Sequence, residues 1–287
     1  MDTQLIGVTG RLGGLTFRCW LIAAALVAVC FTSPLLALVR LSLLDDLASH
    51  TILIPFLCAY LIWTRRDDIA ENAAPSLWPA AVTAAAAVVL LAIPVASGDQ
   101  LSMQILALCL FAWAGGFLAL GSHAMCAHAF PALFLLFMVP LPAAVVSVLE
   151  TFFQHTSAAV AFQFILASGT TVLREGLVFH LPGISLEVGP ECSGIRSSYA
   201  LFMTALLAGH LFLRTRWTKL ALALFVIPLG IVRNAFRVFV LAMLTAHVDP
   251  AYIDSPIHHQ GGPLFFALSL VPFFMVVALL RRAERHS

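Results

Sequence analysis

Residues 220–244 read LALALFVIPLGIVRNAFRVFVLAML. The run exceeds the ~20 apolar residues that carry one bilayer crossing. Its only charges are Arg233 and Arg237, and Arg214, Arg216 and Lys219 stand just before it. It reads as a transmembrane helix with two arginines inside the apolar stretch. Comparable runs flank it at 199–213 and 264–280, and others lie upstream at 17–39, 52–63, 77–96, 101–120 and 127–149. The whole chain of 287 residues is 61% hydrophobic and 10% charged, against about 25% charge in a soluble domain. A soluble globule and a disordered chain are thereby excluded. The net charge of +1 supplies no basic field for nucleic acid.

Eight runs predict an all-α polytopic membrane protein of about eight transmembrane helices. The first run is too long for a signal-peptide core and is expected to stay as a span. Alternating the runs from a cytoplasmic N-terminus gathers Arg11, Arg18, Arg65, Arg66, Arg214, Arg216, Lys219, Arg281, Arg282 and Arg285 on one side. That distribution satisfies the positive-inside rule. It predicts both termini in the cytoplasm. Segment 150–167 is apolar but carries Glu150, Gln154, His155 and Gln163. Counting it as a crossing would reverse the last three helices against their basic flanks, so an interfacial or re-entrant helix on the outer face is expected. Residues 177–181 and 184–188, around Pro182-Gly183, predict a short outer-face β-hairpin.

Polar groups inside lipid are costly and mark functional sites by default. Three clusters fall at the outer ends of the last three spans. The first is Glu191-Cys192-Ser193-Gly194-Ile195-Arg196-Ser197-Ser198, where the loop enters the sixth span. Free N–H groups at a helix N-terminus favour a thiolate. Arg196 acts in the same sense, and a small buried cysteine with Ser193 as cap is the plain alternative. The second cluster is Arg233, Asn234 and Arg237, spaced to share one helical face. At ~1.5 Å per residue, Arg237 lies roughly 10 Å below the outer end of its helix and Arg233 deeper. Two arginines there call for a polar cavity, or for a structural ion pair with Glu175, Glu187 or Glu191. The third is His258-His259-Gln260-Gly261-Gly262, where a histidine is fit for acid–base work or is merely solvated.

A thiol, two arginines and a histidine suit acyl transfer through a thioester. The six cysteines include no C-x-x-C pair, and five of them, Cys19, Cys30, Cys58, Cys109 and Cys126, lie in apolar runs. A disulfide framework or zinc site is therefore not expected. A metal site from His247, Asp254, His258 and His259 matches no ligand spacing, so no metal or cofactor is expected.

From about Phe134 to Leu280 the chain resembles the exosortase/archaeosortase membrane transpeptidases. The resemblance rests on the stretch FLLFMVPLP ending at Pro142, on Leu173-Arg174-Glu175-Gly176, on the Glu-Cys-Ser-Gly-Ile-Arg motif at 191–196, on Asn234-x-x-Arg237, and on a histidine ahead of Gly262. With no repeat, linker or low-complexity tract, the chain reads as a single membrane domain over 1–287, with N-terminal spans in 1–126 and, by the resemblance, an exosortase-like catalytic core in 127–287. The resemblance further implies a thiol transpeptidase or protease in the plasma (inner) membrane that cleaves C-terminal sorting signals on the outer, periplasmic face. Its partners would be exported proteins bearing such a signal, membrane lipids, and a surface polysaccharide or lipid acceptor. Cys192 matches the family nucleophile, Arg237 the family arginine and His258 the family histidine. His259 is the alternative, because Pro263 follows Gly262 where the family often has an aromatic. Glu191, Arg196, Arg233 and Asn234 fall to supporting or substrate-binding roles. The rival reading is a polytopic transporter or an envelope-assembly component built around its buried arginines.

Overall fold

A computed structural model describes Val27 and residues 29–64, 74–182, 184–189, 192–248 and 262–286. The chain divides into two compact units, one up to Ala143 and one from Ala144. The first unit contains α1 (Thr32–Leu44), α2 (Leu53–Trp63), α3 (Leu77–Ala92) and α4 (Gln100–Ala119). Helices α3 and α4 pack closely because their buried contacts are small, with Ala87 and Ala107 wholly enclosed. Phe31 lies in the same cluster and meets Phe111 edge-on. Helix α3 ends at Ile93, whose ψ of 122° is extended. The following Pro94 explains this, since a proline disfavours helical backbone in the residue before it.

The expected crossing at 127–149 is not one helix. It breaks into α5 (Gly121–Ala127), α6 (Ala129–Phe134) and a 3-10 turn (Leu135–Met138), bent by 76°. A new helix then starts at Ala143. Pro131, Pro140 and Pro142 lack the N–H a continuous helix needs. Other groups satisfy the carbonyls of the irregular backbone. Trp113 Nε1 donates to Ala132 O at 3.0 Å, and His50 Nε2 bonds to Phe137 O at 3.2 Å. Irregular backbone among apolar surroundings survives only when satisfied in this way.

The second unit is built around α7 (Ala143–Ala167), a small sheet, α8 (Ile195–Phe212), α9 (Arg216–His247) and α10 (Gly262–His286). The expected segment 150–167 forms the greater part of α7 rather than a separate element. The expected hairpin is a three-stranded antiparallel sheet: β1 (Leu173–Glu175), β2 (Val178–Leu181) and β3 (Ile184–Glu187). Pairing of Arg174 with Phe179 and of Phe179 with Leu186 sets the register. Three residues are too few to show alternation, so β1 is not legible beforehand. Period-two geometry turns Phe179, Leu181, Leu186 and Val188 to one face. That face packs on Ala158, Ala161 and Ile165 of α7 and on Ala235, Val238 and Ala242 of α9. The opposite side of α9, through Leu222 and Val226, packs with Leu201 and Ala205 of α8 and Phe273 and Val277 of α10. Helix α9 is thus the shared wall of two cores.

Among the described residues three helices are long and apolar enough to cross a membrane: α4, α9 and α10 up to Arg285. The bent pair α5–α6 makes a fourth if it is one span. Helices α1, α2 and α3 have 13, 11 and 16 residues, short of the ~20 that cover the hydrocarbon core. Helix α8, at 18 residues, carries Arg196 and His210. Helix length and apolarity thus support three or four of the expected eight crossings among the described residues; most of the first expected run, 17–26, lies outside them.

Candidate active site

Gly230, Arg233, Asn234 and Arg237 recur at helical spacing and share one face of α9. Arg233 is only 7% exposed and Asn234 only 2%, so this polar stripe is turned inward. Gly230 makes the close approach of α8 feasible. A Cβ there would meet Ser198 Oγ at 2.7 Å and Phe153 at 3.7 Å.

The loop before α8 is pinned from three sides. Gln154 of α7 donates its side-chain N–H to Val188 O. The Val188 N–H bonds to Leu177 O at 3.0 Å, and the Cys192 N–H to Gly189 O at 2.9 Å. Asn234 Nδ2 donates to Cys192 O at 2.6 Å. Gly194 caps α8 with a left-handed φ of 72°, a conformation costly for any residue with a Cβ. Its carbonyl accepts the Ser198 N–H at 3.0 Å and Arg233 Nη2 at 3.1 Å. The same Nη2 lies 3.2 Å from Ser198 Oγ. Arg233 Nη2 is thereby held by two neutral oxygens, while its Nη1 is buried without a hydrogen-bond partner among the described residues. Of the acids weighed as its partner, Glu187 is exposed and Glu175 lies 3.5 Å from His180.

Cys192 itself is 5% exposed and lines a small, partly open recess with a volume of about 10 Å³. Val238, Leu241 and Thr245 of α9 form one wall; Leu186, Glu187 and Val188 form the other. Arg237 is half-buried, one turn beyond Arg233. Arg196 is exposed on the first turn of α8. His247 is exposed at the end of α9, its Nε2 3.3 Å from Thr170 Oγ1. The structure therefore joins Asn234 directly to Cys192, and Arg233 to Gly194 and Ser198, two and six residues after the cysteine. Glu191, Asp254, His258 and His259 lie outside the described residues.

Over residues 41–275 the sequence matches a family model described as Transmembrane exosortase (Exosortase_EpsH). The chain belongs to that family. No curated protein and no solved structure matches it significantly. The family match begins well before the stretch 134–280 on which the motif resemblance rests, so the N-terminal helices of this exosortase belong to the family as well. Exosortases are membrane-embedded sorting transpeptidases in general terms. Two residues that hold the cysteine loop escape a motif reading. Gln154 is visible only as an amide in an apolar helix, and Gly230 only as a glycine one turn before Arg233.

Proposed function

We propose that this exosortase is a thiol transpeptidase acting on exported proteins whose C-terminus carries a short motif, a membrane helix and a basic tail. The observation that carries this reading is the hydrogen bond from Asn234 to Cys192 O, which ties together two motifs 42 residues apart. The Cys192 thiolate attacks the scissile carbonyl carbon, and the carbonyl electron pair moves to oxygen. Arg237 donates hydrogen bonds to that oxyanion. The C–N bond then breaks, the departing amine takes a proton from His258, and the acyl group remains on Sγ as a thioester. A surface acceptor or water attacks the thioester and returns the thiol. The basic flanks support a periplasmic site with both termini in the cytoplasm.

Co-expression with membrane-anchored candidate substrates, followed by mass spectrometry for a hydroxylamine-sensitive adduct, tests this. An adduct on Cys192 bearing a new peptide C-terminus is expected. In Cys192→Ala the protein accumulates and processing stops; continued processing there overturns the reading. Arg237→Lys keeps the charge and loses the planar fork. Its processing rate is expected to fall by about 10² or more, as when an oxyanion donor is removed, and an undiminished rate excludes the role given to Arg237.

A further inference from the structure

The recess beside Cys192 belongs to no step of the mechanism above. It runs from Cys192 along Val238, Leu241 and Thr245, that is, toward the end of α9 at His247. Its direction is therefore from the nucleophile toward the end of the span. A sorting signal continues into the membrane on the leaving side of its scissile bond. The part that stays on the thiol is the one leading toward the surface.

We infer that this recess receives the side chain of the residue whose carbonyl is attacked, and that it admits only a small uncharged one. This rests on the thiol-transpeptidase reading. Leu186, Val188, Val238 and Leu241 make the lining apolar, and Thr245 is the polar group on the α9 wall. A cavity volume near 10 Å³ is about the least that holds one water, so a methyl or hydroxymethyl fits and an aromatic side chain does not. Glu187, exposed at the edge, adds a like charge against an acidic side chain. Leu186 on the β3 side and Leu241 on the opposite wall set the width, which makes Leu241 the specificity-determining position on α9.

Two measurements separate the recess from the chemistry. In the first, Cys192 of the purified full chain is alkylated with iodoacetamide and with N-benzyliodoacetamide. Sγ bonds to carbon, iodide leaves and the thiol proton passes to buffer; mass spectrometry reads the modified cysteine. Iodoacetamide is expected to react faster with Cys192, and Leu241→Ala to raise the benzyl rate about tenfold or more, the discrimination a few methylenes give in a pocket. Val238→Ile, a smaller change in the opposite sense, is expected to slow both reagents and guards against a Leu241→Ala protein that misfolds. Equal rates for the two reagents in the unaltered chain, or a ratio indifferent to both substitutions, overturn the inference. In the second, substrates varied only at the attacked residue are co-expressed. Small side chains are expected to be processed by the unaltered enzyme and larger ones only by Leu241→Ala. Processing through Cys192 that ignores side-chain size overturns the recess while the transpeptidase reading stands. Size-selective alkylation with no Cys192-dependent processing of any substrate overturns the transpeptidase reading and, with it, the assignment of the recess to a substrate side chain.

Discussion

A Cβ on Gly194 would stand 2.6 Å from Asn234 Cγ, on a backbone whose φ is +72°. The glycine is required twice over, by conformation and by space. Gly194→Ala is expected to cost about 1–2 kcal/mol through the left-handed backbone alone, and to displace the amide that holds Cys192 O. Asn234→Ala leaves that buried carbonyl without its donor, a loss of roughly 1–3 kcal/mol. The two residues occupy one space, so the double variant should be less destabilised than the sum of the single ones. Thermal unfolding in detergent measures all three. Strict additivity would show that the contact between Gly194 and Asn234 carries no weight.

Helix α9 owes its start to the last helix. The Glu284 carboxylate accepts the backbone N–H groups of Arg214 and Thr215, at 3.0 and 2.8 Å, together with the hydroxyls of Thr215 and Thr218. These groups surround the N-terminus of α9, whose first turn contains no acid. An anion there meets unsatisfied donors and the positive end of the helix dipole. Glu284→Ala is expected to lower the melting temperature, and Glu284→Gln, which still accepts through its carbonyl, to lower it less. Identical melting of the two variants would count against the charge having a part. The same helix carries Gly230 opposite Ser198, so its register against α8 decides where Arg233 and Asn234 meet the cysteine loop.

For the molecule as a whole, the basic residues flanking the apolar runs predict the orientation. Fusions made after Ser287 are expected to give fluorescent green fluorescent protein and inactive alkaline phosphatase, as for a cytoplasmic end. Active phosphatase at that position would invert the topology and, with the expected crossings of α8, α9 and α10, put Cys192 on the cytoplasmic face. Fusions in the loops after α2, α3 and α4 would count how many of the short helices complete a crossing. Helix length and apolarity support three or four among the described residues.

The motifs at 191–196 and 233–237, their order and their apolar setting are enough to indicate a membrane protein of the exosortase kind. These are properties of composition and local spacing, which the unfolded chain already has. The long helices α4, α9 and α10 are legible for the same reason, since their apolar runs are long enough to stand out despite Arg233 and Arg237 inside that of α9. The break across 127–149 is less so. Three prolines mark it, but that Trp113 and His50 satisfy carbonyls of the broken stretch depends on neighbours far along the chain. The site behaves likewise. A sequence offers Cys192 and Asn234 as two polar points in separate spans. Only the packing of α8 on α9, possible because Gly194 and Gly230 lack a Cβ, brings the amide within 2.6 Å of the Cys192 carbonyl. The recess between β3 and α9 is likewise set by the tertiary structure, because its lining residues are connected by no local pattern.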